Sequence, residues 1–283
     1  MTVVTAVQLA PVVGDLEGNV DRALEALAGA VAEGAELVVL PELTTSGYVF
    51  ESPEEARSLG LSPDGAVFER FIAAAGEAVV VVGFAETSDD GHLYNSAALL
   101  DASGVRAVYR KVHLWDREKL VFRPGDARPP VVETRFGRIG VMICFDLEFP
   151  EWPRIAALAG ADLLAVPTNW PLVPVPAGER APEVQIAIAT ARMNKMAVVC
   201  ADRVGVERGV DWTGGTSIVN AEGALIAQVG RVAGTASADI DLLDSRDKRQ
   251  AEHVDLLGDR RPDLYGPLVG GAERISSGRR PTG

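Results

Sequence analysis

The sequence predicts a mixed α/β (or α+β) fold, a four-layer α-β-β-α sandwich of two mixed β-sheets with helices outside them. Three observations carry that reading. Apolar runs with strand alternation come in pairs, amphipathic segments of helical period separate the pairs, and no linker, repeat or low-complexity block divides the chain. A single doubly wound parallel sheet would not need paired strands. One domain is therefore expected over residues 1–270, with a flexible C-terminal tail over 271–283.

Thr2–Gln8 alternates as a strand, and Asn19–Glu33 places Val20, Leu24, Leu27 and Val31 at helical spacing before Gly34 stops it. Glu36–Leu40 is a short buried strand that ends at Pro41-Glu42. A helix over Ala66–Glu77 leads into a strand over Ala78–Phe84. Tyr94–Asp101 and Val105–Arg110 flank the Ser103-Gly104 turn as a hairpin. Val131–Thr134 and Gly137–Cys144 read as a second strand pair. Then follow a helix (Pro153–Ala159), a strand (Asp162–Pro167), a helix (Pro182–Asn194) and a strand (Met196–Ala201). Thr216–Asn220 and Ala224–Gln228 bracket the turn Ala221-Glu222-Gly223, and Ser237–Asp241 is a further strand. From Asp244 a charged helix is expected, then a Pro/Gly-rich extension ending in a disordered SSGRRPTG.

Composition narrows the function. The 283 residues are 47% hydrophobic and 24% charged, a globular balance with ample material for a core. Lys plus Arg number 27 against 40 Asp plus Glu, a formal charge of −13, which disfavours nucleic acid as a partner. No apolar run is long enough to span a bilayer, so no membrane partner is expected. The N-terminus lacks the basic start of a signal peptide, and two cysteines give no disulfide framework; a cytoplasmic protein is the expectation.

The sequence has no G-x-S-x-G, P-loop or H-E-x-x-H motif, and His92, His113 and His253 lack metal-ligand spacing. No metal or cofactor is expected, so chemistry would rest on Cys, Lys and carboxylates. Three such groups end apolar strands: Glu42 in LVVLPEL, Lys111 in YRKVHL and Cys144 in GVMICFDLEFPE. Ligands of α/β sheets gather beyond strand ends. Singly, each has a plainer account. Cys144 could pack as a small hydrophobe, Glu42 could cap a helix, and Lys111 could end in solvent. Cys200, in MAVVCAD, reads as core.

Together, LVVLPEL, RKVHL and GVMICFDLEFPE resemble, in order, the three catalytic blocks of the nitrilase superfamily, the carbon–nitrogen hydrolases, and the likeness runs from Val4 to about Gly266. The resemblance implies that Cys144 is the nucleophile, Glu42 the general base, and Lys111 the cation that stabilises a tetrahedral intermediate with the backbone N–H of Phe145. It also implies that Glu118, in LWDREKL, orients Lys111 and the substrate amide; a surface ion pair among Asp116, Arg117 and Lys119 is the plainer account.

Phe145-Asp146 stands where nitrile-hydrolysing members carry Trp-Glu, and Glu148 stands where carbamoyl-amino-acid hydrolases and ω-amidases tend to carry an arginine. The segment looks like the amidase-like branch, acting on small, amino-bearing amides, with Glu148 supplying negative charge. Otherwise Glu148 caps the helix near Pro153 or pairs with Arg154. Tyr48, Asn169 and Trp170 fall where the family lines its pocket, although Trp170 before Pro171 could simply pack a loop. Alternative activities are hydrolysis of N-carbamoyl amines or nitriles; an alternative class is a catalytically silent binding member. Family likeness also implies a homodimer or higher homo-oligomer, with LGDRRPDLYGPL as a candidate interface. No role is legible for CADRVGVERGVDWTGG.

Overall fold

The computed structural model describes residues 1–270; the tail over 271–283, including SSGRRPTG, lies outside them. The first half runs β1 (Thr2–Gln8), α1 (Leu16–Ala32), β2 (Leu37–Val39), α2 (Pro53–Ser58) and α3 (Ala66–Ala75). It continues with β3 (Val79–Thr87), β4 (Leu93–Asp101), β5 (Gly104–Arg110) and α4 (Glu118–Val121). The second half runs β6 (Val131–Thr134), β7 (Gly137–Val141), α5 (Glu151–Leu158), β8 (Leu163–Pro167), α6 (Pro182–Asn194) and β9 (Ala197–Ala201). A small hairpin, β10 (Val206–Glu207) and β11 (Val210–Asp211), precedes β12 (Ser217–Val219), β13 (Leu225–Gln228) and β14 (Gly234–Ile240).

Two six-stranded sheets result, ordered β14-β1-β2-β3-β4-β5 and β13-β12-β9-β8-β7-β6. In each, three central strands are parallel, β1-β2-β3 in one and β7-β8-β9 in the other, and all their neighbours are antiparallel. The helices explain the parallel part, because a strand can return in the same direction only by a crossover. Hairpins explain β3-β4-β5, β6-β7 and β12-β13, whereas β1-β14 and β9-β12 pair across longer connections; β4 turns into β5 at Asp101↔Gly104, where the Asp101 carboxylate accepts the Ser103 N–H at 2.8 Å.

Strand alternation sorts the core. Leu37, Val39, Val79 and Val81 face the other sheet and pack with Ile139, Val141, Leu163 and Ala165 in one buried cluster. Their neighbours Val38, Val80 and Val82 face outward, against Ala23 and Leu27 of α1 and Phe68 and Phe71 of α3. This is the α-β-β-α sandwich expected from the paired strands.

Contacts divide the chain into a compact unit over Met1–Asp247, which holds both sheets, and a second unit that begins at Lys248. The charged helix expected from Asp244 onward is not formed. A 3-10 turn spans Leu242–Arg246, followed by a strand pair β15 (Arg249–Ala251) and β16 (Val254–Asp255), a 3-10 turn Pro262–Leu264, and the short α7 (Gly266–Val269). The physical reason is spacing. Apolar residues here come as neighbours (Leu242-Leu243, Leu256-Leu257), which gives no stripe for a helix to bury. The Asp241 carboxylate instead caps Leu243 N at 3.0 Å, and Arg246 pairs with the buried Asp162 at 2.9 Å.

Among the described residues, no helix is long and apolar enough to cross a membrane.

Candidate active site

Four segments that leave parallel strands at their carboxyl ends build the site: Pro41–Glu42 after β2, Met142–Cys144 after β7, Thr168–Trp170 after β8 and Asp202 after β9. The end of β5 contributes Lys111. Gly83 of β3 lets the first of these turns close: a Cβ there would lie 2.4 Å from Pro41 O and 2.6 Å from Glu42 Cα. Cys144 does not end the β7 strand, which stops at Val141; it opens the 3-10 turn Cys144–Glu148 with φ +47°. Non-glycine residues rarely adopt that left-handed backbone, and here it holds the sulfur at a sharp corner.

Lys111 lies between two carboxylates. Its Nζ donates to Glu42 Oε1 at 2.7 Å and to Glu118 Oε1 at 2.7 Å, and all three side chains are buried. Asn95, in the middle of β4, donates a further hydrogen bond to Glu42 Oε1 at 2.7 Å, while Glu42 Oε2 has no hydrogen-bond partner. Tyr48 donates its hydroxyl to Glu118 Oε1 at 2.5 Å, and Trp115 N donates to Glu118 Oε2 at 3.0 Å. Asn169 links the walls: its Nδ2 donates to the Glu42 carbonyl at 2.9 Å, and its own carbonyl lies 3.9 Å from Cys144 Sγ.

Burial sets the protonation behaviour. It raises the Glu42 carboxyl to about 7, against the pull of Lys111, and the charge of Glu118 adds to the rise. For Lys111, burial alone would favour the neutral amine; Glu118 and Glu42 overcome it and hold the ammonium well above its usual range. Burial pushes the Cys144 thiol well up, Glu42 pushes it further, and Lys111 opposes both. The site at rest is a thiol beside a charged lysine and a carboxyl poised near neutrality.

A cavity of about 60 Å³ opens beside Cys144, lined by Trp115, Phe145, Glu148, Asn169, Trp170 and Glu183 among others. A larger one of about 300 Å³, lined by Tyr48, Glu118, Phe122 and Trp212 among others, shares Trp115 and Pro171 with it. Mostly apolar walls with a few polar groups suit a small organic ligand. Glu148 is solvent-exposed yet lines the smaller cavity; partial burial and the charge of Glu183 raise its carboxyl. It does not cap the helix near Pro153, because the N-cap of α5 is Pro150 and no side chain bonds there. Trp170 is buried, and its backbone N–H donates to Asp202 Oδ1 at 3.0 Å. Phe145 packs edge-on against Trp115 and Phe149, at 4.9 and 5.1 Å.

Thus the structure brings Glu42, Lys111, Glu118, Tyr48 and Asn169 into one bonded network. Cys144 lies at its edge, and Phe145, Glu148 and Trp170 line the adjoining cavity. Sequence reading missed Asn95, Trp115, Glu183 and Trp212. Only Asn95 carried a signal, a lone amide inside an apolar strand. Cys200 is fully buried in the core. Among the described residues, no group of three or more His, Cys, Asp or Glu side chains could hold a metal ion.

Known proteins share this arrangement of sequence and fold. The chain matches the family model of the carbon–nitrogen hydrolases over residues 3–250. It is 37% identical over 269 residues to a nitrilase of Pyrococcus abyssi, covering 94% of this chain and 99% of the relative. It is 34% identical to an (R)-stereoselective amidase of a Pseudomonas species, covering 92% of each. Among solved structures it is similar to a variant of an amidase from Nesterenkonia sp. AN1, which carries a Michael adduct of acrylamide on its active-site cysteine. The TM-score is 0.77 at 27% identity, over 94% of this chain and 98% of the other. The chain belongs to the carbon–nitrogen hydrolases of the nitrilase superfamily.

Proposed function

We propose that this carbon–nitrogen hydrolase is an amidase that converts a small carboxamide, preferably one bearing an amino group, to carboxylate and ammonia through a thioester on Cys144. The observation that carries this reading is Lys111 Nζ, buried and bonded to both Glu42 and Glu118 at 2.7 Å. An ammonium has three N–H donors, so two of them go to the carboxylates and one remains for an oxyanion.

The reaction follows from the groups present. Glu42, through the unpartnered Oε2, takes the thiol proton as the Cys144 sulfur bonds to the amide carbon. The carbonyl electron pair moves onto oxygen, where the third Lys111 N–H and the Phe145 backbone N–H stabilise it; losing one such donor costs ~3 kcal/mol. As the tetrahedral adduct collapses, the C–N bond breaks and Glu42 returns the proton to the leaving nitrogen, releasing ammonia. Glu42 then takes a proton from water as its oxygen bonds to the thioester carbon; the C–S bond breaks, and Glu42 returns that proton to sulfur, freeing the Cys144 thiol and the acid. A carboxyl near 7 can give back what it takes. Glu118 keeps Lys111 oriented and faces the amide. The acidic pair Glu148 and Glu183 beside the small cavity favours a substrate carrying an ammonium.

An N-carbamoyl amine or amino-acid hydrolase and a nitrilase are the competing activities, and a silent binding member is the competing class. A screen for ammonia release over neutral, anionic and cationic amides, nitriles and carbamoyl compounds tests all of them, with Cys144→Ala as the blank. Release from amides by the wild type alone supports the proposal. Release equal to the blank on every compound defeats it. We further propose a homo-oligomer and a cytoplasmic setting; sedimentation and cell fractionation test these.

A further inference from the structure

The segment between β9 and β12, which holds DRVGVERGVDWTGG, grips both walls of the site from behind. Asp202 accepts Trp170 N at 3.0 Å and Gly215 N at 2.7 Å. Glu207, only 6% exposed, divides its carboxylate among three donors. Its Oε1 accepts Arg203 Nη2 at 2.9 Å, and its Oε2 accepts the backbone N–H groups of Tyr48 and Val49 at 2.9 and 2.6 Å. Arg203, itself buried, is tied to the Pro11 carbonyl at 2.8 Å and lies 4.5 Å over the Trp212 ring. That ring meets Tyr48 edge-on at 5.2 Å. The turn before Tyr48 is closed around the carboxylate: Gly47 has φ +78°, and a Cβ on it would lie 2.8 Å from Glu207 Oε1.

We propose that Glu207 is a positioning residue of the active site, anchoring the Tyr48–Val49 backbone so that the Tyr48 hydroxyl bears on Glu118 and thereby aims the Lys111 ammonium. The path is continuous. Two consecutive amides on one carboxylate oxygen fix the Tyr48 backbone, and charge-assisted bonds of this kind are the stiffer ones. Tyr48 then donates to the same Glu118 oxygen that accepts Lys111 Nζ. A buried ion pair is weak evidence for a role in stability, so Arg203–Glu207 is better read as the support of that geometry. The inference rests on the amidase reading for the reaction it serves.

The test uses Glu207→Gln and the charge-free double variant Arg203→Met/Glu207→Gln, which leaves no buried charge unpaired. Two quantities are measured: amide kcat and KM, and the second-order rate of Cys144 alkylation by iodoacetamide over roughly pH 6 to 9. In a cooperatively melting double variant, both kcat and the alkylation rate fall about tenfold to a hundredfold, with KM little changed. Adding Glu207→Gln to Tyr48→Phe then lowers either rate by less than about twofold, because both act through one contact. Wild-type alkylation in the folded double variant, or a full additive loss on top of Tyr48→Phe, overturns the proposal. So does failure of every Glu207 variant to melt cooperatively, which assigns the carboxylate to folding alone. Alkylation needs no amide turnover. A wild type that alkylates but releases no ammonia therefore defeats the amidase reading and leaves Glu207 tested.

Discussion

Asp146 Oδ1 accepts both the backbone N–H of His113, at 3.0 Å, and its ring Nδ1, at 2.7 Å. Asp146 lies two residues past Cys144 and His113 two residues past Lys111, so this pair bolts the turn bearing the sulfur to the segment bearing the ammonium. The other oxygen accepts Tyr109 OH at 2.7 Å and Ile143 N at 3.2 Å, so a fully buried carboxylate meets four donors. In Asp146→Asn one oxygen becomes an NH₂ that faces donors. Leaving such groups unsatisfied costs ~1 to 3 kcal/mol. Asp146→Asn is expected to melt lower and to lose most of its kcat, measured by calorimetry and ammonia release. Wild-type kcat in that variant would show that the two segments hold their positions without the link.

The rate should rise with pH. In the proposed reaction Glu42 is the general base and must be ionised, and burial sets its carboxyl at about 7. kcat/KM is therefore expected to climb through about pH 7 and level off above it, since the profile reports the base of the free enzyme. A profile flat between roughly pH 5.5 and 8.5 would place the base elsewhere.

Stability should move the opposite way. Glu42 titrates at 4.5 in the unfolded chain and near 7 when folded, so the folded state holds its proton longer. The stability linked to this group is whole below about pH 4.5 and is lost as pH rises through about 7. Glu42→Gln cannot ionise. Its Tm minus that of wild type should increase from about pH 5 to about pH 8. Asp202, raised to about 6 by burial, titrates in the same window but is present in both proteins and cancels. A difference that stays constant with pH would refute a buried, titrating Glu42.

Glu42, Lys111 and Cys144 stood out in the sequence because each interrupts an apolar strand end, and the pairing of strands announced two sheets. The rest was hidden for physical reasons. The bond from Tyr48 to Glu207 spans 159 residues, and no local pattern records it. Asn95 is buried in mid-strand, where only tertiary packing supplies its partner. The short α2 and α4, six and four residues long, fall below the length at which periodicity can be read. After Asp244, the density of charged residues suggested a helix, yet without an apolar stripe the chain took turns and a short strand pair.

Gly83→Ala should be costly out of proportion to its size. Its Cβ would enter the backbone of Pro41, Glu42 and Leu43, at 2.4 to 2.8 Å, and backbone cannot rotate away as a side chain can. The turn is also sewn to β3 by Thr44 N to Gly83 O at 2.9 Å, so it cannot retreat without losing that bond. Overpacking of this kind costs ~1 to 3 kcal/mol. For a chain of this size that lowers Tm by several degrees, about 2 to 4 °C per kcal/mol. kcat should fall with it, because the displaced atoms carry the proposed base, Glu42. Gly83→Ala with unchanged Tm and kcat would mean that the Glu42 turn is looser than the distances imply.

The charge of Glu148 should act on substrate choice rather than on chemistry. Together with Glu183 it puts two carboxylates around the cavity beside Cys144, and each raises the need for a cation there. Because Glu148 is solvent-exposed, screening keeps its pairing with a substrate ammonium near the low end, about 1 kcal/mol or roughly fivefold. Glu148→Gln is expected to lower kcat/KM for a cationic amide by about that factor relative to a neutral amide of equal length, mainly through KM. Salt added to the wild type should shrink the same ratio, since exposed charges are screened within about 10 Å at 0.1 M. If Glu148→Gln leaves the cationic-to-neutral ratio where it was, the acidic rim does not select the substrate, and the preference for an amino-bearing amide goes with it.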